Sequence, residues 1–372
     1  MKRRQGNITK RGKNSWQIKF AVPSVDGKRQ QRYATVRGTL KDAQRKLTEL
    51  LNAADTGMLP DPCDMTLAEY LRAWLKSAHE QSPKTLERYG ELAERQIIPH
   101  LGITKLQKLK PEAIRQWHNN LLEDGLSSRT VGHAHRLLRL VLGYGVKSGM
   151  LVRNVATIQA PPKVEATEIQ ILEQDQIKTV LAALDGHMLF PIVSLALATG
   201  MRRGELLALQ WGVIDLDRAT LRVERSVEET RAGLRIKEPK SKRGRRTISL
   251  SSDAVAVLRA HKVKQLELRL ALGMGNITPD TFVFSTVEGG LRSPDNLSRD
   301  WARTVKAKKL PDVSFHALRH THVSMLISQK VDILAISRRI GHSRASTTLD
   351  NYGHLMQGSD EAAAKAIEGM LK

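Results

Sequence analysis

The chain has one cysteine, Cys63, in 372 residues. That excludes an intramolecular disulfide and any cysteine-cluster zinc site, and it suits a reducing cytosol. No uninterrupted apolar run reaches the ~18 residues that a membrane-spanning helix needs, so no membrane partner is expected. The N-terminus, MKRRQGNITKRGKNSWQ, is basic, but no apolar segment or small-residue cleavage site follows it. A secretory signal is therefore not read there, and a cytoplasmic location is expected. There is no internal repeat, no low-complexity tract and no obvious carboxylate cluster to hold a metal ion. Tyrosine is scarce, with five residues in all.

Acids are in deficit too: 38 Asp and Glu stand against 60 Lys and Arg, a net charge of +22. A solvated basic surface or an anionic membrane could account for such an excess, but nucleic acid is the commonest polyanion for a cytosolic protein of this charge. The excess is also uneven. Residues 1–46 hold fourteen Lys and Arg against Asp26 and Asp42, a net +12, which makes this segment the first candidate for phosphate contacts.

Trp16, Ile18, Phe20 and Val22 alternate with polar residues at strand spacing, Asp26-Gly27 offers a tight turn, and KRQQRYATV reads as the return strand. Thr39 with Asp42 resembles a capping box opening a helix whose Leu40, Ala43, Leu47, Leu50 and Leu51 share a face. Residues 1–56 thus form a small basic sheet with a helix behind it. The stretch 56–64, with two prolines and a glycine, is a linker. From 65 to 158 the apolar spacing predicts four helices, opened near Met65, Ser82-Pro83, Pro111 and Ser127 or Ser128. QAPPKVEATE (159–168) reads as a second linker. Residues 169–372 are mostly helical, and ATLRVERSV, GLRIKEP and RRTISL within them read as a three-stranded meander. The fold class is mainly α with small β-sheets, an α+β arrangement.

Four stretches of this last region place cations or proton-transferring groups at element ends. In ATGMRRGELLAL (198–209) a helix stops at Gly200, Arg202 and Arg203 follow, and Glu205 sits near the positive end of the next helix. A guanidinium there can fork onto a phosphate while the carboxylate holds it. KEPKSKRGRRTISL (237–250) is a basic turn between strands, carrying Lys237, Lys240, Lys242, Arg243, Arg245 and Arg246. SFHALRHTHVSML (314–326) puts His316 and Arg319 three apart on one helical face. His316 and His320 are four apart, but with no intervening Glu of the HExxH kind and no cysteine, no metal is expected. RRIGHSRASTTLDNYGH (338–354) ends a helix at Gly341-His342 and brings Tyr352 ten residues later. Tyr70, Tyr89 and Tyr144 fall on apolar helix faces and Tyr33 in a strand. Tyr352 lies in what reads as a polar turn with no apolar stripe, so its ring is expected to be free rather than packed.

Each stretch alone is unremarkable, but together they supply the chemistry of phosphodiester transfer. Two arginines can neutralise a phosphate, a histidine and a lysine can move protons, and a tyrosine can attack. A free phenol has a pKa of ~10, so attack at neutral pH needs a base or a strongly cationic site. Fixed guanidiniums stabilise the charge gathered in the transition state, and the departing alkoxide needs an acid.

"ATGMRRGELLAL", "FHALRHTH", "IGHSRASTTLDNYGH" and the basic hairpin resemble the tyrosine recombinase, or phage integrase, family across nearly the whole chain. The resemblance implies a basic arm-binding domain over 1–56, a helical core-binding (SAM-like) domain over 65–158 and a catalytic domain over 169–372. It implies that Arg202 and Arg319 grip the scissile phosphate and that His316 and His342 hydrogen-bond it or assist proton transfer. Lys240 would donate to the leaving 5′ oxygen, Tyr352 would attack, and Glu205 would hold the arginine site. Lys240 fits better than Lys242 because Pro239-Lys240 matches the common motif, and Ser249 departs from the proline that many relatives carry there. No cofactor or metal is implied. The partners implied are double-stranded DNA at core and arm sites, a homotetramer on that DNA, and accessory DNA-bending or directionality proteins. The activity is site-specific recombination of a phage or other mobile element through a 3′-phosphotyrosine, without ATP. A relaxing enzyme like the type IB topoisomerases would not need the separate basic N-terminal module. A non-catalytic DNA-binding regulator would not need Arg202, Arg319, His342 and Tyr352 together.

Overall fold

The computed structural model describes residues 6–23, 29–55, 61–165, 169–239, 244–353 and 367–368. It is mainly helical with small antiparallel sheets, as the hydrophobic periodicity predicts. The chain divides into two compact units, residues 1–166 and 167–372. Among the described residues, no helix is long and apolar enough to cross a membrane.

The first unit opens with an antiparallel sheet in the order β1 (Asn7–Gly12), β2 (Ser15–Pro23), β3 (Arg29–Arg37). Ile18, Phe20 and Val22 are buried along one face of β2, as their period of two requires. Helix α1 (Leu40–Asp55) covers that face with Leu47, Leu50, Leu51 and Ala54. Its capping box is formed: Thr39 donates from its backbone N and its Oγ1 to Asp42 Oδ2 at 2.9 and 2.7 Å, and Asp42 N returns a bond to Thr39 Oγ1 at 3.3 Å. Leu40, expected on the packed face, is exposed. At the first helical position its side chain points back past the end of the helix rather than onto the sheet.

A separate apolar core follows, built by α2 (Leu67–Ser77), α3 (Pro83–Leu92), α4 (Ile98–Leu101), α5 (Pro111–Glu123) and α6 (Ser128–Lys147). Helix α4 continues α3 through a π turn at Ala93–Ile97, so the two together make the second of the four helices read from the sequence. Thr66 and Glu69 cap α2 reciprocally, prolines open α3 and α5, and Ser127 rather than Ser128 caps α6. Leu71, Ile97, Trp117, Leu121 and Leu138 fill the centre, with His118 and His135 buried among them.

In the second unit α7 (Gln174–Ala183) precedes α8 (Phe190–Thr199), a helix apolar but for Ser194 and Thr199 whose Ile192, Val193 and Leu195 lie in the largest core, and the short α9 (Arg203–Leu207). Strands β4 (Ile214–Asp215), β5 (Thr220–Val223), β6 (Ser226–Thr230), β7 (Gly233–Lys237) and β8 (Arg246–Ser249) follow. Then come α10 (Ser252–Ala271), α11 (Pro294–Ala307), α12 (Ala317–Ser328), α13 (Ile333–Ile340) and α14 (Ala345–Tyr352).

The three segments expected to make one meander are extended but belong to two sheets. Strand β5 lies between β4 and β8, whereas β6 pairs with β7. ATLRVERSV therefore breaks at Glu224-Arg225. Leu221 and Val223 are buried with Arg222 facing out between them, a one-faced strand, but Val227 and Glu228 are adjacent and both buried. That pair cannot continue the alternation. Glu228 instead takes Arg235, from Nε at 3.0 Å, and Lys237 across the β6–β7 hairpin.

Candidate active site

Helix α8 stops at Gly200, whose φ of +64° belongs to glycine and whose missing Cβ leaves room for His322: an added Cβ would lie 2.5 Å from the ring's Cδ2. The chain then turns so that Arg202 caps α9. Its backbone N donates to Glu205 Oε2 and its Nη1 to Oε1, each at 2.9 Å, which is the junction the sequence predicts. The Arg202 side chain stays 41% exposed, while Glu205 is buried.

His316 sits exposed at the N-terminal end of α12, and Arg319 one turn on is buried. Arg319 donates from Nη1 to the Gly200 carbonyl at 2.7 Å and from Nη2 to the Ile340 carbonyl at 2.8 Å. Burial and then the charge of Arg202 bring its pKa down to about 9, partly offset by Glu205, so it remains a cation at neutral pH.

Three guanidiniums close the end of α13. Arg246 Nε donates to the Arg339 carbonyl at 2.7 Å, Arg319 Nη2 to that of Ile340, and Arg202 Nη2 to that of Gly341 at 3.3 Å. These carbonyls lie beyond the last intrahelical donor and at the negative end of the helix dipole, where cations are favoured. Gly341, with φ +71°, then turns the chain into His342. His342 is held by Nδ1 against Thr348 Oγ1 at 2.8 Å. Burial, followed by the charges of Arg319 and Arg202, lowers its pKa to about 4, so it is neutral at pH 7.

Tyr352 departs from expectation. It ends helix α14 rather than lying in a turn, and it is 2% exposed. Its ring packs with Val323, Ile327, Ile336 and Ile340 from α12 and α13. The apolar surroundings absent from its own stretch are supplied by other helices. The hydroxyl is not wasted in that core: it lies 2.5 Å from His320 Nδ1. Burial raises the phenol pKa, with Arg319 opposing.

Arg202, Glu205, His316, Arg319, His342 and Tyr352 thus gather at one place, the ends of α8, α13 and α14 and the start of α12. Lys240 and Lys242 lie outside the described residues. His320, Arg246, Arg339 and His322 were assigned no role in the site from the sequence. His320 shares a helical face with His316, their rings edge-on with centroids 4.9 Å apart. Arg246 begins β8 on the same face as buried Ile248, so strand alternation already turns it inward to Glu205, at 2.8 Å. Arg339 donates to His322 Nε2 at 3.2 Å, while His322 Nδ1 donates to the Leu197 carbonyl at 2.7 Å, which fixes that imidazole's tautomer. The site combines a cluster of forked cations, neutral imidazoles and a phenol, which fits it to a phosphodiester.

Residues 170–358 match the phage integrase family, and residues 66–122 match the phage integrase N-terminal SAM-like domain. A tyrosine recombinase XerC-like protein of Caldanaerobacter subterraneus subsp. tengcongensis is 29% identical over 98% of both chains. Among solved structures, the Tn1549 transposon integrase in complex with a circular intermediate DNA superposes with a TM-score of 0.72 over 82% of this chain and 99% of its own, at 19% identity. The lambda integrase tetramer bound to a Holliday junction does so with a TM-score of 0.58 over 93% and 95%, also at 19% identity. The chain belongs to the phage integrase family, the tyrosine recombinases that cleave and rejoin DNA.

Proposed function

We propose that the chain is a site-specific recombinase whose Tyr352 attacks a phosphodiester of double-stranded DNA, leaving a 3′-phosphotyrosine and a free 5′ hydroxyl. The observation that carries this reading is the imbalance of charge around the end of α13. Arg202, Arg246, Arg319 and Arg339 converge there, and Glu205 is the carboxylate that Arg202 and Arg246 share. Arg319, although buried, spends its bonds on backbone carbonyls. Desolvated cations call for an anion. A phosphodiester supplies one, and its pentacoordinate transition state supplies more negative charge than its ground state.

In this scheme Arg202 and Arg319 hold the non-bridging oxygens, and Glu205 keeps Arg202 in place. His316 and His342 hydrogen-bond the phosphate, and Lys240 protonates the leaving 5′ oxygen. The phosphotyrosine keeps the energy of the broken bond, so the 5′ hydroxyl of a partner duplex can displace Tyr352 without ATP. Residues 1–56 would bind arm sites, 65–158 core sites, and 169–372 would carry out catalysis. A homotetramer on two DNA sites, as the lambda integrase forms on a Holliday junction, is the working assembly, with accessory bending or directionality proteins where the element supplies them. The setting proposed is a mobile element in a bacterial cytosol, a reading supported by the likeness to a staphylococcal phage integrase.

The test is to trap the protein on a nicked duplex carrying its recombination site, from which the short fragment bearing the new 5′ hydroxyl escapes after cleavage. A covalent adduct that vanishes in Tyr352→Phe is the expected result. Adduct formation by that variant at the normal level would overturn the assignment of the nucleophile.

A further inference from the structure

His320 has no part in the scheme above, yet its Nδ1 lies 2.5 Å from the Tyr352 hydroxyl, the atom that would attack phosphorus. Of the neighbouring imidazoles, His342 and His322 are engaged elsewhere, and His316, which lies edge-on beside His320, has no contact with the hydroxyl among the described residues. His342 turns its Nδ1 to Thr348, and His322 is fixed between the Leu197 carbonyl and Arg339. His320 comes from α12, in the same turn as Arg319, so the backbone that sets the phosphate-gripping guanidinium also sets this imidazole. Its ring rests edge-on against His316.

We propose that His320 is the general base that takes the Tyr352 proton as the tyrosine attacks, and returns it when the tyrosine is expelled; this rests on Tyr352 being the nucleophile. For Nδ1 to accept, the imidazole proton must sit on Nε2. During cleavage the Tyr352 O–H bond breaks and its proton passes to Nδ1, the Tyr352 O–P bond forms, and the P–O5′ bond breaks. The departing oxygen is protonated by a separate acid, the role proposed for Lys240. Rejoining runs the same steps backwards, so His320 ends as it began. Burial, His316 and Arg319 hold the resting imidazole near a pKa of about 4, and burial raises the phenol, so the proton stays on the tyrosine until phosphorus is engaged. A phosphodiester seated between Arg319 and Arg202 would offset the charges that depress His320, making it a better base only when substrate is present. The charged and titratable groups facing His320 are His316 at the N-cap of its helix, Arg319 on that helix, His342 after α13, and Tyr352 on α14.

The test compares His320→Asn, whose amide can still hold the hydroxyl but cannot take its proton, with His320→Ala. Single-turnover cleavage is measured on a nicked duplex with an ordinary scissile phosphate and on one with a 5′-bridging phosphorothiolate, whose sulfur leaves without an acid. Both variants are expected to bind DNA as the parent does and to cleave both substrates more slowly by about 10²-fold or more, the usual contribution of a general base. Parent-like cleavage by His320→Asn would overturn the proposal, because His320 would then only hold the hydroxyl. Recovery on the phosphorothiolate would overturn it by moving His320 to the leaving group. An adduct that survives Tyr352→Phe with His320 intact would instead remove the nucleophile on which the proposal rests.

Discussion

The guanidinium of Arg246 donates to both oxygens of Glu205, at 2.8 and 3.3 Å, with both side chains more than nine-tenths buried. Glu205 in turn receives the backbone and side chain of Arg202. One carboxylate therefore fastens β8, the strand that follows the basic turn, to the cap of α9. Burial alone would raise the Glu205 carboxyl, but the Arg246 bond and the charges of Arg246 and Arg202 outweigh it and hold the pKa below the ordinary value.

Arg246→Ala should accordingly be far costlier than its place in a basic turn implies. It leaves a buried carboxylate with only the partly exposed Arg202 as partner, a loss of about 3–5 kcal/mol for a broken buried pair. Arg202→Ala, removing an ion pair whose guanidinium is 41% exposed, should cost about 1 kcal/mol or less of folding stability. Urea denaturation of the two variants checks the order, and equal losses would count against Arg246 as the principal partner. The depressed Glu205 pKa contributes stability that is present above the ordinary carboxylate range and lost as the pH falls through its folded value. Arg246→Ala should flatten that acid limb.

Gly200→Ala and Gly90→Ala should move stability in opposite directions. At Gly200 the positive φ costs an L residue about 1–2 kcal/mol. The new Cβ would also push on His322, which cannot retreat without losing the Leu197 carbonyl and Arg339. A total of about 3 kcal/mol or more is expected. At Gly90, inside α3, an added Cβ meets nothing within 4 Å, so alanine should stabilise by about 0.5–1 kcal/mol through helix propensity. Melting temperatures of the two variants decide it.

The contrast between Arg202 and Tyr352 shows where the sequence is readable. The α8–α9 junction is written locally: an apolar helix, a glycine stop, an arginine, and an acid three residues on. Such chain-local signals predict the Arg202–Glu205 cap well because those two partners lie within one turn. Tyr352 is the reverse case. Its packing partners Val323, Ile327, Ile336 and Ile340 come from other helices, so nothing in TTLDNYGH reports its burial. Arg246 is intermediate, since its alternation with Ile248 points it inward but only the fold reveals Glu205 as its target. His320 was ambiguous because its spacing from His316 fits a shared helical face whatever that face meets. The split of ATLRVERSV between two sheets depends on Glu228 choosing Arg235 and Lys237, a pairing that strand propensity does not encode.

Stability should fall between about pH 6.5 and pH 4, and for the same reason in both units. In the first, burial and the charge of His135 lower His118 to about 4; in the second, burial lowers His322 to about 4 as well. Their unfolded counterparts bind a proton near pH 6.5, so the unfolded chain holds more protons throughout that window. The contribution is complete above pH ~6.5 and erodes by up to about 1.4 kcal/mol per unit for each imidazole as the pH drops toward 4. His118 and His135 face each other at 3.1 Å and titrate as a pair, so the first proton makes the second harder to add. Unfolding free energies measured at pH 7.5 and 5.5 test this, and a flat profile would contradict the burial of these rings.

Replacing Arg319 or Arg202 with lysine should separate holding the fold from holding the substrate. Arg319 reaches two carbonyls, of Gly200 and Ile340, from two different nitrogens at 2.7 and 2.8 Å. A single ammonium cannot span both, so Arg319→Lys leaves a buried carbonyl unmet at about 1–3 kcal/mol and should lower the melting temperature together with cleavage. Arg202 has one arm on Glu205 and the other on Gly341, and its side chain remains 41% open to solvent. A lysine there keeps the charge and can keep the Glu205 contact, so stability should change by less than about 1 kcal/mol. What it loses is the planar fork that pairs two donors with two phosphate oxygens. Cleavage of the nicked duplex by Arg202→Lys should therefore fall by about 10²-fold or more with melting nearly intact, the size expected for one lost transition-state donor. Normal cleavage by this folded variant would mean that Arg202 meets the phosphate as a simple charge, and the forked geometry at the end of α13 would then serve the protein's own carbonyls alone.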